Sequence, residues 1–354
     1  HTLFMDSSMV NVSGNVKFVQ GTGIVEIDRG TATLTWVHTS GTKTYAPNDQ
    51  TVSSLVLNAP GGTLQPTVNF FVYDNFTITN GTFDVVSGSN YTVYLYGNFT
   101  NNGTFLAQQG EVYWNGVNSS SFNGTFTGTS SLYNLSIYPF VGAGGPPSDC
   151  ERTSFVPDVD FNSAVTANGL VSIGGGGSAG IEFENGANYN FNDINFEGYD
   201  ASNRVFLRNS AITGSWNLNV TAVGSAQTKV KYVNVSRSDA SSGAQIIASD
   251  GTNVDCGNNV NWMFDEELIL TLDATSKDFG TLIPGSNPTD RTSTVTVSTN
   301  ANNGYIVYAW TNQPMTVQSW TIDYWTGTNA SPTLFLNGSY GFGYSTDDSD
   351  LTGG

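Results

Sequence analysis

Charge is scarce in this sequence of 354 residues: Asp, Glu, Lys and Arg make up 11% of it, against ~25% in ordinary soluble domains. Positive charge is scarcest, with 11 Lys and Arg against 29 Asp and Glu, a net charge of −18. A nucleic-acid binder needs a basic stripe. These cations are scattered, which excludes nucleic acid as a partner. Histidine is nearly missing as well. With only His1 and His38, a zinc site or a Ser-His-Asp triad lacks its ligands; His38, in Thr35-Trp36-Val37-His38-Thr39, is expected on the surface of a strand. No apolar run approaches the ~18 residues that read as a membrane span, so no transmembrane segment is expected in the chain. Apolar residues at i, i+3, i+4, i+7 are absent throughout, which removes amphipathic helices. The chain opens on His1, which implies a processed or excised piece, with any leader or anchor outside it.

What remains is rich in Gly, Asn, Ser and Thr, with 12% aromatics. Disordered chains are poor in aromatic and β-branched residues, so this chain folds. The mixture suits short strands and many tight turns, with Asn and Gly taking the φ > 0 positions. The fold class is all-β, and the length calls for two or three β units.

Cys150 and Cys256 are the only cysteines. If they pair, they close a loop of about 105 residues, worth up to ~4–5 kcal/mol by chain entropy. The alternative is two buried thiols; the secreted character of the rest favours the disulfide. No second Cys or His stands near either one, which argues against a metal site.

The strongest signal is a repeat. Asn80-Gly81-Thr82-Phe83 recurs as Asn102-Gly103-Thr104-Phe105 and as Asn123-Gly124-Thr125-Phe126, at steps of 22 and 21 residues. Asn75-Phe76-Thr77 and Asn98-Phe99-Thr100 keep the same beat. A period near 22 holds two or three short strands and their turns, one coil of a β-solenoid. Coils stack ~4.8 Å apart, which predicts that Phe83, Phe105 and Phe126 form an internal ladder. The sequence then divides into a solenoid over 1–141, a second, less regular β-helix over 148–264, and a β-sandwich over 265–354. Gly142-Ala143-Gly144-Gly145-Pro146-Pro147 forms the first break and Asp265-Glu266-Glu267 the second. Alternation over Leu268–Leu272, Thr294–Ser298 and Tyr305–Trp310, with turns at Pro284-Gly285 and Asn303-Gly304, carries the sandwich.

Several stretches are familiar in order: Gly97-Asn-Phe-Thr-Asn-Asn-Gly-Thr-Phe105, Gly110-Glu-Val-Tyr-Trp-Asn-Gly116 and Leu132-Tyr-Asn-Leu-Ser-Ile137. They resemble the coils of large secreted β-solenoid surface proteins of uncultivated ultrasmall bacteria. Trp216–Val220, Val230–Val235 and Asn258–Trp262 resemble the β-helix that closes those regions. Asp278–Leu282 with Val297–Tyr305 resembles the sandwich that follows them. The resemblance covers the chain from about residue 30. It implies surface display, adhesion or filament building, and it carries no catalytic residue. The related sandwich continues beyond Tyr340–Tyr344, whereas this sequence stops at Gly354, leaving an open edge as one expectation.

Candidate sites are few. Thirteen Asn-x-Ser/Thr sequons stand at Asn11, Asn75, Asn80, Asn90, Asn98, Asn102, Asn118, Asn123, Asn134, Asn219, Asn234, Asn329 and Asn337. They are glycan acceptors if the source glycosylates, or turn residues bonding their own backbone. Asp250, Asn253 and Asp255, and separately Asp347, Asp348 and Asp350, could offer oxygen ligands to Ca²⁺, though neither set has EF-hand spacing; no other cofactor is indicated. Asp193, Glu197, Asp200, Arg204 and Arg208 form the densest charge cluster, the one enzymatic candidate, a polysaccharide lyase; the alternative is a solvated turn with weak ion pairs. Gly174 to Gly177 is a turn or loop, not a phosphate cradle.

A stack of coils leaves open sheet edges at its ends. The expected function is therefore non-enzymatic: an extracellular, cell-surface scaffold joined to copies of itself end to end as a filament or array. Met9-Val10-Asn11-Val12-Ser13 and the C-terminal sandwich are the natural partners for strand donation. The rival is a monomeric adhesin or stalk that stacks Trp310, Trp320 and Trp325 on host-surface glycans.

Overall fold

The computed structural model describes residues 3–18, 27–28, 30–48, 50–116, 118–139, 150, 155–222, 229–264, 268–278, 280–281, 292–299, 307, 313–324 and 333. Two compact units divide the chain, His1–Asp265 and Glu266–Gly354. Nearly every described element is a strand; a single 3₁₀ turn, Gly128–Ser130, is the exception.

The first unit is a β-solenoid. Each strand pairs in parallel with the strand one coil on, as a chain that winds in one sense must. Phe76 lies in register with Phe99, and Phe99 with Phe122. Further on, Phe122 lies opposite Phe161 and Phe161 opposite Phe183. A long sheet runs from Met9–Val12 through Phe76–Asp84 to Val254–Asp255. A second sheet runs from Phe70–Val72 through Val93–Leu95 and Glu111–Trp114 to Ser238–Asp239.

Alternation sets which side chains face inward. In Val93–Leu95 and Glu111–Trp114 every second residue is buried, the period-2 pattern of a half-buried strand. The inward residues form one continuous core from Leu34 to Ala248. A stack of rings runs through it: Phe76 on Phe99 at 4.8 Å, Phe122 against Phe161 at 5.1 Å, Phe161 on Phe183 at 5.6 Å, Phe183 on Trp216 at 4.0 Å.

The repeat owes its glycines to this stacking. Gly81 has φ +93°, and a Cβ on it would lie 2.4 Å from the Ala59 carbonyl oxygen one coil below. Gly124 has φ +98°, with Asn101 O 2.2 Å from where its Cβ would be. Only glycine tolerates both the conformation and the approach.

Three expectations are corrected. Phe83 does stack on Phe105, at 6.0 Å, but Phe126 packs instead against Phe99 (4.9 Å) and Phe122 (5.7 Å). The solenoid over 1–141 and the β-helix over 148–264 are one stack: Ser120–Phe122 pairs with Val159–Phe161, and Leu135–Ile137 with Val171–Ile173. The Gly- and Pro-rich segment therefore does not separate two stacks: it falls within the one step from Phe122 to Phe161, which is 39 residues long. That segment lies outside the described residues. His38 is buried, not on the surface: its side chain is 5% exposed and its Nε2 lies 3.2 Å from Thr63 O.

In the second unit, Leu268–Leu272 pairs antiparallel with Val295–Thr299, and Met315–Val317 with Trp320–Ile322. Pro284, Asn303, Trp310, Trp325 and Asp347 to Asp350 lie outside the described residues.

Candidate functional site

The long sheet ends on Met9–Val12, which pairs among the described residues with Thr33–Trp36 alone. Thr33 N donates to Ser8 O at 3.0 Å and Val37 N to Val12 O at 2.8 Å. Backbone groups alternate sides along a strand. Those of residues 8, 10 and 12 therefore turn toward the next coil, and those of Met9 and Asn11 turn to the free edge. The side chains follow the same parity: Val10 and Val12 lie over Leu34 and Trp36. Val10 is 36% exposed where Leu34 is 3% exposed; among the described residues no coil lies beneath it. Among the described residues no further strand pairs with this edge, whose backbone donors and acceptors are the kind a sheet edge presents. In the second unit Leu268–Leu272 exposes all five residues, with Leu268 at 65%. Apolar side chains on both faces of that pair are uncovered among the described residues.

Cys150 and Cys256 are joined by a disulfide. It ties Cys150 to the strand Val254–Asp255, after which Cys256 N donates to Val235 O at 2.9 Å.

The charge cluster does not converge. Asp193 accepts from the backbone N of Ile194, and Asp200 from Ser202 N and Asn203 N. Those hydrogen bonds hold the Asp200 carboxyl below its usual range. Glu197 faces Lys229 at 3.8 Å, and Arg204 donates to the carbonyls of Ala201 and Thr252. Arg208 is buried at 1% exposure, bonded to Asn234 O (2.8 Å) and Oδ1 (2.7 Å) and flanked by Phe155 and Phe206. It stands in register with Glu182. Each of these groups is held by partners of its own.

In the first Ca²⁺ candidate, Asp250, Asn253 and Asp255 hydrogen-bond to turn and neighbouring backbone groups. Asp250 accepts from Thr252 N (3.0 Å) and Asn253 Nδ2 (2.8 Å), whereas Asp255 accepts from Gly257 N and Asn259 Nδ2. Asn253 Oδ1 accepts from Val233 N. Among the described residues no three His, Cys, Asp or Glu side chains gather as a metal site.

The sequons fall into two kinds. Asn98 donates to Asn75 Oδ1 at 2.8 Å, Asn80 to Asn58 at 3.0 Å, Asn219 to Asn190 at 3.1 Å, and Asn123 accepts from Asn162 at 2.9 Å. Asn90 accepts from Gln109 N and Asn134 from Leu170 N. Asn234 is buried beside Arg208. Asn11, Asn102 and Asn118 are exposed. Asn329 and Asn337 lie outside the described residues. Trp320 is 75% exposed.

Set against family models, curated proteins and solved structures, the chain matches none of them.

Proposed function

We propose that this chain is an extracellular structural protein, a cell-surface scaffold whose copies join end to end into a filament or array by adding strands at Met9–Val12. The observation that carries this reading is the edge at Met9 and Asn11, unpaired among the described residues and lying beside the exposed Val10. A stack of parallel coils gains the same hydrogen bonds and core contacts from a second copy as from one more coil of its own. The exposed Leu268–Leu272 pair is the natural donor, and the second unit is on this reading a β-sandwich completed by its neighbour. Dispersal of the charged residues favours a scaffold over an enzyme. The disulfide and the scarcity of charge favour an oxidising, extracellular setting and kinship with secreted β-solenoid surface proteins.

The test is Asn11→Pro. Proline removes an N–H that faces the free edge and leaves the bonds to Thr33–Trp36 untouched. Wild-type protein should form linear, concentration-dependent oligomers in sedimentation velocity and negative-stain images. The variant should remain monomeric with an unchanged far-UV spectrum. Monodisperse wild-type monomers at every concentration, or undiminished assembly of the variant, would overturn the reading and leave the monomeric adhesin.

A further inference from the structure

The second sheet carries an aromatic column on its outer face. Phe71, Tyr94 and Tyr113 stand in register, followed by Ser136, Ser172 and Asn195. Phe71 stacks on Tyr94 at 4.5 Å and 15°. A parallel column two residues on stacks Tyr73 on Tyr96 at 4.4 Å and 10°. At the Ser136 rung Tyr138 supplies the ring: it stacks on Tyr113 at 5.8 Å and 18°, and its hydroxyl meets Ser172 Oγ at 2.5 Å.

Rings stacked along the solenoid axis cover one another's faces, save at the Tyr94–Tyr113 step, tilted by 53° at 5.5 Å, and the last ring of the run has a face left for a ligand. This run stops at Tyr138, because the next two rungs are Ser172 and Asn195. A cleft of about 230 Å³ opens there, lined by Tyr138, Ile173, Gly175, Asn195, Glu197 and Tyr199 among others. Glycine keeps its wall back: a Cβ on Gly174 would lie 2.4 Å from Glu197 O and 3.5 Å from Tyr138 Cε1. Asn195 donates to Ser172 Oγ at 3.3 Å, while its buried Oδ1 has no hydrogen-bond partner. A buried acceptor left unpaired is costly. Tyr199 stands 69% exposed at the rim.

We propose that this cleft binds one pyranose ring of a neutral glycan. The C–H face of a pyranose continues the stack on Tyr138, meeting the negative face of the aromatic ring. Its hydroxyls donate to Asn195 Oδ1 and to the Glu197 carboxylate. The volume lies below the ~300–1,000 Å³ of pockets for drug-sized ligands, and suits a single ring. The net charge of −18 disfavours uronates and other anionic sugars. The site lies on a side face of the solenoid and does not depend on end-to-end joining.

The probes are the methyl glycosides of glucose, galactose, mannose and N-acetylglucosamine, with glucuronic acid as the anionic comparison. They are titrated into the Asn11→Pro chain and the wild type by saturation-transfer NMR and calorimetry. At least one neutral glycoside should bind both chains equally. Tyr199→Ala should weaken it about tenfold, the scale of one lost aromatic contact. Glu197→Gln should weaken it several-fold, and Tyr73→Ala, away from the cleft, should not. Both cleft side chains are outside the core, and unchanged far-UV spectra would verify folding. Absence of glycoside binding, a preference for glucuronate, or binding that survives Tyr199→Ala and Glu197→Gln would overturn the proposal. So would a change of oligomeric state in Tyr199→Ala without sugar binding, which would make the cleft a contact between copies.

Discussion

Replacing Phe99 by alanine removes the centre of the internal ring stack. Phe99 is fully buried and touches Phe76 at 4.8 Å, Phe126 at 4.9 Å, Phe105 at 5.3 Å and Phe122 at 5.8 Å. An aromatic side chain buries ~150–250 Å², about 4–6 kcal/mol at ~25 cal/mol/Å², and this is an upper bound because unfolded chains are already partly compact. Core Phe→Ala substitutions cost ~3–5 kcal/mol, in agreement. In a solenoid each coil contacts only its neighbours, so the cost is expected to be local. Hydrogen exchange followed by mass spectrometry reads it peptide by peptide. Protection should fall by about two to three orders of magnitude over residues 76–84, 99–106 and 120–126, since each 1.4 kcal/mol is worth about tenfold. Residues 205–209 and 233–235 should keep theirs, and Phe99→Leu should show a much smaller loss. A loss under about 1 kcal/mol, or one spread evenly over the unit, would refute the stacked-coil reasoning.

Three more outcomes are expected. Gly124→Ala should cost ~1–3 kcal/mol in urea unfolding, through its positive φ and the Asn101 carbonyl. Gly128→Ala, with φ +60° and nothing within 4 Å of its would-be Cβ, should cost only about 1 kcal/mol. Removing the bridge with Cys150→Ser and Cys256→Ser should lower stability by up to ~4–5 kcal/mol, with exchange rising first over 233–263; equal unfolding midpoints with and without the bridge would contradict this. Burial pushes the phenols of Tyr45 and Tyr189 well above the ordinary tyrosine range. A pKa raised on folding contributes stability that is fully present below the unfolded value, ~10, and lost as pH rises toward the folded one. Phenolate absorbance should therefore show a late fraction of the 16 tyrosines ionising only as the β spectrum is lost.

The repeat made the solenoid legible because the period of a stacked coil is written twice, in the spacing of inward phenylalanines and in the glycines of its corners. Phe76 and Phe99 could be read from Asn-Phe-Thr, and Phe83 and Phe105 from Asn-Gly-Thr-Phe. Phe122, Phe161 and Phe183 could not, since each sits in a different local sequence and only the register reveals them. Continuity across the Gly- and Pro-rich segment was illegible for the same reason: a loop on one coil and a linker between stacks have the same composition. His38 was misread although its parity pointed inward, two residues after buried Trp36 and four after Leu34. The outer tyrosine column stood in plain view at Tyr94, Tyr96 and Tyr113. Its meaning depends on where the stack stops, and that is set by the pairing of Ser136 with Ser172, 36 residues on.

The shortage of charge and the wealth of asparagine have one cause. In-register parallel stacking sets each residue directly over its counterpart one coil below, so a charge kept in the repeat would face itself, which is destabilising. An asparagine carries both a donor and an acceptor and pairs with a copy of itself. Asn98 does so on Asn75, Asn80 on Asn58, Asn217 on Asn188 and Asn219 on Asn190, all between 2.8 and 3.1 Å. Where charges do share a register, Glu182 stands between Asp160 and Arg208, and the Asp160 carboxyl is pushed up by burial and then by nearby Glu184. The sequons are thus largely a by-product of stacking. Asn11, Asn102 and Asn118, exposed and outside these ladders, are where a glycan would cost the fold least, and glycopeptide mapping of native material should find occupancy there before Asn98 or Asn234.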